Sequence, residues 1–175
     1  MNNEKSMIFK NKTKNKMSFE DVFNHIADFI KKDPLKEYVL SVGTDSQANS
    51  KTHFITAIHI HRVGKGAWGC YKEFIVDRRI ESIREKISME TTLSQEVAFL
   101  FTPERITQLI EPLIPYADKG ADFKFEVHID IGRKGLTKVL IQEMVGRISG
   151  MGIQAKIKPE SYCASCYANK HTKKR

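Results

Sequence analysis

Hydrophobic and polar positions change period several times along this chain, and each change marks an element. From Ser18 onward, Phe19, Val22, Phe23, Ile26 and Ile30 recur at helical spacing, with Asp21 three residues after Ser18. That spacing predicts a capped amphipathic helix, ended by Pro34. YVLSVGTD (38–45) is a nearly continuous apolar run and predicts a buried strand. In HFITAIHIHRV (53–63), Phe54, Ile58 and Ile60 share one side, as in a half-buried strand. Gly64 and Gly66 turn the chain into a third strand, AWGCYKEFIVD (67–77), so the three predict a meander. The period becomes helical again from about Ile87 to Leu113, through Leu93, Val97, Leu100, Ile106, Leu109 and Ile110. Pro103 kinks or splits that segment.

FKFEVHIDIG (123–132) alternates sharply. Phe123, Phe125, Val127, Ile129 and Ile131 face one way, and Lys124, Glu126, His128 and Asp130 the other. TKVLIQEMVGRISGMG reads as a helix stopped by glycines, GIQAKIKP as a fifth strand closed by proline, and SYCASCYANKH as a short last helix. Three antiparallel strands followed by two right-handed crossovers predict an α/β domain with a five-stranded mixed sheet and helices on both faces, preceded by an extra N-terminal helix. A chain of 175 residues fills one such domain, here 18–173. Residues 1–17 then form a basic, flexible tail.

The net charge of +8 points toward nucleic acid, but its distribution weakens that inference. Residues 1–17 carry five lysines against one glutamate, and 168–175 three lysines and an arginine, so the body between them is neutral. Within the body, residues 131–158 hold Arg133, Lys134, Lys138, Arg147, Lys156 and Lys158 against Glu143 alone. This local surplus is the stronger electrostatic signal. No apolar run approaches the ~20 residues of a membrane span, and the N-terminus lacks the apolar stretch of a secretory signal. Three cysteines argue against a disulfide framework. Together these predict a soluble, cytoplasmic protein with no membrane association and no evident obligatory protein partner.

The candidate chemistry lies at strand ends. In the predicted sheet the first, fourth and fifth strands are parallel, and ligands gather at the carboxyl ends of parallel strands. Asp45, in VGTDSQ, closes the first of these strands and Asp130 nearly closes the fourth. Adjacent strands run about 4.8 Å apart, and two carboxylates at that range repel unless a proton or cation lies between them. Magnesium or manganese suits such oxygen ligands. Taken singly, Asp45 also reads as a turn acid after Gly43, and Asp130 as a polar-face strand residue or a turn acid before Gly132.

The element order, the aspartates of VGTDSQ and HIDIGRKG, and the closing KPESYCASCYANKHTK resemble the ribonuclease H-like superfamily, specifically its small bacterial YkuK-like family. The likeness spans roughly residues 18–173. It implies a nuclease site in which several carboxylates hold two divalent ions, Mg2+ or Mn2+. It also implies a third carboxylate from the helix after the third strand: Glu90, near the start of that helix, with Glu96 as the rival. The fourth acidic position departs from the pattern, because the last helix offers Asn169 there. An amide ligates through its oxygen but brings no charge and cannot act as a base. His171 could instead orient a water or leaving group.

On this reading Asp45, Glu90 and Asp130 are the catalytic and metal-binding acids, with Asn169 completing the ligand set. Arg133, Lys134 and Lys138, at the start of the helix after the fourth strand, would meet nucleic-acid phosphates. Two functions stand: a divalent-metal-dependent nuclease acting on DNA, RNA or a hybrid, and, because of Asn169, a nucleic-acid-binding module with little or no cleavage. Cys163-x-x-Cys166 reads as a packing pair more readily than as a zinc site, which needs four ligands. His53, His59 and His61 read as the polar face of a strand.

Overall fold

A computed structural model describes residues 7–131 and 138–163. Helix α1 spans Phe19–Lys31. Its capping box is complete: Ser18 Oγ accepts from the Asp21 amide at 3.1 Å while Asp21 accepts from the Ser18 amide at 2.7 Å. Strands β1 (Glu37–Ala48), β2 (Thr52–Arg62) and β3 (Gly66–Val76) follow as an antiparallel meander. The turn into β3 is made by Gly64 and Gly66, both at positive φ, where a side chain would be strained.

The predicted long helix is divided. Helix α2 runs from Ile83 to Ala98, starting four residues earlier than the hydrophobic period suggests because Ser82 caps it by accepting from the Glu85 amide. Helix α3 (Pro103–Ile110) restarts behind a Thr102 cap, and a 3₁₀ stretch continues over Glu111–Lys119, where Pro112 and Pro115 interrupt regular helix. Strand β4 (Asp122–Ile129), helix α4 (Lys138–Ser149) and a short β5 (Gln154–Lys156) complete the described elements. The fifth strand is shorter than its sequence pattern, pairing only three residues with β4.

The sheet order is β3-β2-β1-β4-β5, with β1 and β4 parallel, β4 and β5 parallel, and the other pairs antiparallel. This is the five-stranded mixed sheet expected from the sequence. Leu40, Val42, Ile58 and Ile60 join Phe19, Val22, Ile26 and Ile30 of α1 in the main core. Val127, Ile129 and Ile131 pack with Leu140, Met144 and Ile148 of α4 in a second cluster. Paired residues in the strand registers point the same way, so α1 and α4 cover one face of the sheet. Cys163, where the last predicted helix begins, packs on the opposite face against Ile55, Ala57 and Tyr71.

A free tail over residues 1–17 does not hold for its described part. Phe9 pairs with Met17 and Lys10 with Tyr71 of β3, and Phe9 and Met17 are buried in the main core. Two apolar anchors in a basic segment suffice to dock it, because one buried aromatic side chain outweighs several solvated lysines. Among the described residues no helix is long and apolar enough to cross a membrane.

Candidate functional site

The site forms where three elements end or pass. In the parallel pairing of β1 with β4, Thr44 lies opposite Ile129, so the next residues of the two strands, Asp45 and Asp130, come side by side on one face of the sheet. Asp45 Oδ1 accepts from the Ser46 amide at 2.8 Å. Burial pushes the Asp45 carboxyl up from its ordinary pKa, and the neighbouring Asp130 pushes it further.

The third carboxylate comes from α2. Thr44, pointing away from Asp45, places its Oγ1 2.9 Å from Thr56 Oγ1 and 2.8 Å from Ser94 Oγ, a buried hydroxyl chain that ties α2 to β1 and β2. One turn before Ser94, Glu90 is thereby held over the end of β1, where Ser46 Oγ donates to Glu90 Oε1 at 2.6 Å. Because α2 starts at Ile83, Glu90 lies deeper in the helix than the first turn expected from the sequence. The residue is only 4% exposed. Its pKa is pushed up to about 8, first by burial and then by the Asp45 and Asp130 charges, against the Ser46 hydrogen bond and Lys86, which lower it. Glu96, the rival acid, is exposed and lines a different depression with Lys72 and Phe74.

Sequence reasoning missed the fourth charged member. Lys158 lies two residues beyond the last β5 pairing, His128 with Lys156, and its backbone N–H donates to Ile131 O at 3.1 Å. Its Nζ is 2.7 Å from Asp130 Oδ1. That contact and the fields of Asp45 and Glu90 raise its pKa. Counting by twos along β5 from its register with β4 would have found it. The sequence offered Lys158 only as one cation in a basic stretch.

Other members of that stretch are committed elsewhere. Arg147 donates to Gln95 Oε1 at 2.7 Å and Thr92 Oγ1 at 2.9 Å, joining α4 to α2, and Lys156 pairs with Glu160. Arg133, Lys134, the Lys138 side chain, Asn169, Cys166 and His171 lie outside the described residues. Cys163 is buried and its thiol approaches Ser41 O and Ala57 O, a packing role.

A second buried polar pair holds the final segment. His128 Nδ1 accepts from the backbone N–H groups of Tyr162 and Cys163, at 3.3 and 3.1 Å, which leaves the ring proton on Nε2 facing Glu126 Oε2 at 3.0 Å. Burial lowers the His128 pKa, in keeping with a neutral ring. The pair fixes residues 162–163, from which the chain continues toward Asn169.

Asp45, Glu90 and Asp130 thus converge, from β1, α2 and the end of β4. The aspartates disfavour the Glu90 charge and Asp130 that of Asp45, and three carboxylates so placed suit a hard divalent cation in kind and in charge. Among the described residues, however, no three His, Cys, Asp or Glu side chains close around one point as a ligand set. The positive charge against Asp130 in this arrangement is the Lys158 ammonium.

The ribonuclease H-like family matches the chain over residues 21–173. The uncharacterized protein YkuK of Bacillus subtilis (strain 168) is 55% identical over 169 residues, covering 96% of this chain and 98% of the relative. No solved structure matches this chain. With its β3-β2-β1-β4-β5 sheet and its match over nearly the whole length, the chain belongs to the ribonuclease H-like family.

Proposed function

We propose that the protein is a divalent-metal-dependent nuclease that hydrolyses phosphodiester bonds of DNA, RNA or a hybrid. The observation that carries this reading is the convergence of Asp45, Glu90 and Asp130, drawn from three elements into a largely buried site where Asp130 opposes the ionisation of Asp45, and both aspartates oppose that of Glu90. Asp45, Glu90 and Asp130 would hold Mg2+ or Mn2+, with the Asn169 amide as a neutral further ligand. Bound there, such ions would supply activation of a water for in-line attack on phosphorus and charge stabilisation of the leaving oxygen.

The chain's own residues prepare that chemistry. Glu90 must give up its proton to act as a ligand, so loading releases a proton below about pH 8. The Ser46 hydroxyl orients Glu90, and the Ser46 amide orients Asp45, before any ion arrives. Arg133, Lys134 and Lys138 would position the nucleic-acid backbone by phosphate contact without reading sequence.

The second reading, a nucleic-acid-binding module with weak or no cleavage, is favoured by Asn169 standing where an acid is expected. A cleavage panel decides between them: duplex DNA, RNA–DNA hybrid, branched DNA and single-stranded RNA, each with Mg2+ and with Mn2+. The nuclease reading expects cleavage that needs the metal and disappears in Asp45→Asn. Cleavage that survives Asp45→Asn, or binding with no cleavage of any substrate, refutes it.

A further inference from the structure

We propose that Lys158 is the resident cation of the carboxylate site: its ammonium competes with a divalent ion for Asp130 and thereby sets the metal concentration at which the site loads. This inference rests on the metal reading of Asp45, Glu90 and Asp130 given above.

The placement of Lys158 is built into the sheet. The β4–β5 register and the bond from its backbone N–H to Ile131 O bring it beside Asp130. Exposed lysine–carboxylate pairs generally contribute little, because solvent screens them and the side chains lose freedom. Lys158 differs in facing a cluster. Asp130 is in contact, and Asp45 and Glu90 act on it through their fields. In return, Lys158 favours ionised Asp45.

The environment also allows the ammonium to leave. The Asp130 side chain is 15% exposed, whereas that of Lys158 is 47% exposed, so its flexible stem opens to solvent without disturbing the core. Lys156, the nearest lysine along the chain, is already paired with Glu160. An ammonium seated 2.7 Å from Asp130 Oδ1 and a divalent ion bound to that same oxygen exclude each other by contact and by charge. Apparent metal affinity then falls by the fraction of molecules in which Lys158 is seated. A site of this design keeps Asp130 paired at low metal concentration and loads at a higher concentration than it would without the lysine.

The test is calorimetric titration of the full chain with Mn2+ alone, without nucleic acid, for the wild type, Lys158→Met, Lys158→Gln and Lys158→Arg. Circular dichroism melts establish that each variant is folded, and the two neutral variants guard against one of them failing to fold. Lys86→Met serves as the control, because Lys86 acts on Asp45 and Glu90 by field alone.

The Met and Gln variants are expected to bind Mn2+ roughly tenfold more tightly, equivalent to about 1.4 kcal/mol. Lys158→Arg should stay near or above the wild-type dissociation constant, and Lys86→Met should shift it much less. If the neutral variants bind no more tightly than wild type while Asp45→Asn abolishes binding, the Lys158 inference falls and the metal site stands. An equal gain from Lys86→Met also overturns it, since the effect is then bulk charge. Binding by the neutral variants but not by wild type upholds the inference and defeats the nuclease reading. If no protein binds Mn2+, both fall.

Discussion

Glu90→Gln in the metal-free protein is the sharpest test of the site's electrostatics. In the unfolded chain this carboxyl titrates near 4.5, and in the folded protein its pKa is pushed up to about 8. A group whose folded pKa is raised contributes stability that is fully present below the unfolded value and is lost as pH rises through the folded value. The window therefore runs from about 4.5 to about 8, where the unfolded chain has released a proton that the folded protein still holds. At about 1.4 kcal/mol per pH unit, the full loss approaches about 5 kcal/mol, and between about pH 5 and pH 8.5 it amounts to roughly 4 kcal/mol.

Glutamine keeps the acceptor for Ser46 Oγ and the shape of the side chain but removes the titration. The assay is urea unfolding of wild type and Glu90→Gln with a chelator present, at about pH 5 and pH 8.5. The variant is expected to be close to wild type at the lower pH and more stable by about 2–4 kcal/mol at the higher. Because both proteins share every other titrating group, the difference between them isolates Glu90. A difference that does not change with pH would show that Glu90 is not held protonated by burial and its acidic neighbours, and the account of the site would be wrong.

Two further outcomes test the scaffold. Thr44→Val removes the central hydroxyl of the Thr56–Thr44–Ser94 chain and leaves its buried partners poorly satisfied, so unfolding free energy should fall by about 1–3 kcal/mol in urea titration. Phe9→Ala empties a fully buried aromatic position in the N-terminal segment. It should cost about 3–5 kcal/mol and raise proteolytic cleavage before Ser18 in limited digestion, whereas a segment that is merely draped on the surface would leave stability unchanged.

Periodicity alone was enough to determine most of the architecture. The alternation from Phe123 to Ile131 forced one strand face to be apolar, the 3.6-residue stripe of α1 forced a core-facing helix, and the order of elements left few sheets that could be built. It also placed Asp45 and Asp130 side by side, where the parallel β1–β4 pairing stops, although β1 itself continues to Ala48 along β2. These are local signals, repeated every two or four residues, and they survive without knowledge of the partners.

What tertiary structure alone decided depends on contacts between residues far apart in the chain. Glu90 and Glu96 are both helical acids separated by less than two turns. The buried Ile87, Leu93 and Val97, together with the bonds between Ser94 and Thr44 and from Ser46 to Glu90, rotate α2 so that one acid is buried over the site and the other faces solvent. Phe9 and Met17 became core residues because β3 offers them an edge to dock against. Lys158 looked like one cation among six in a basic stretch, and the β4–β5 register, 28 residues across in sequence, seated it on Asp130. Charge count is a property of the sequence, but which charges meet is set by register and packing, and the chemistry of this site depends on which ones do.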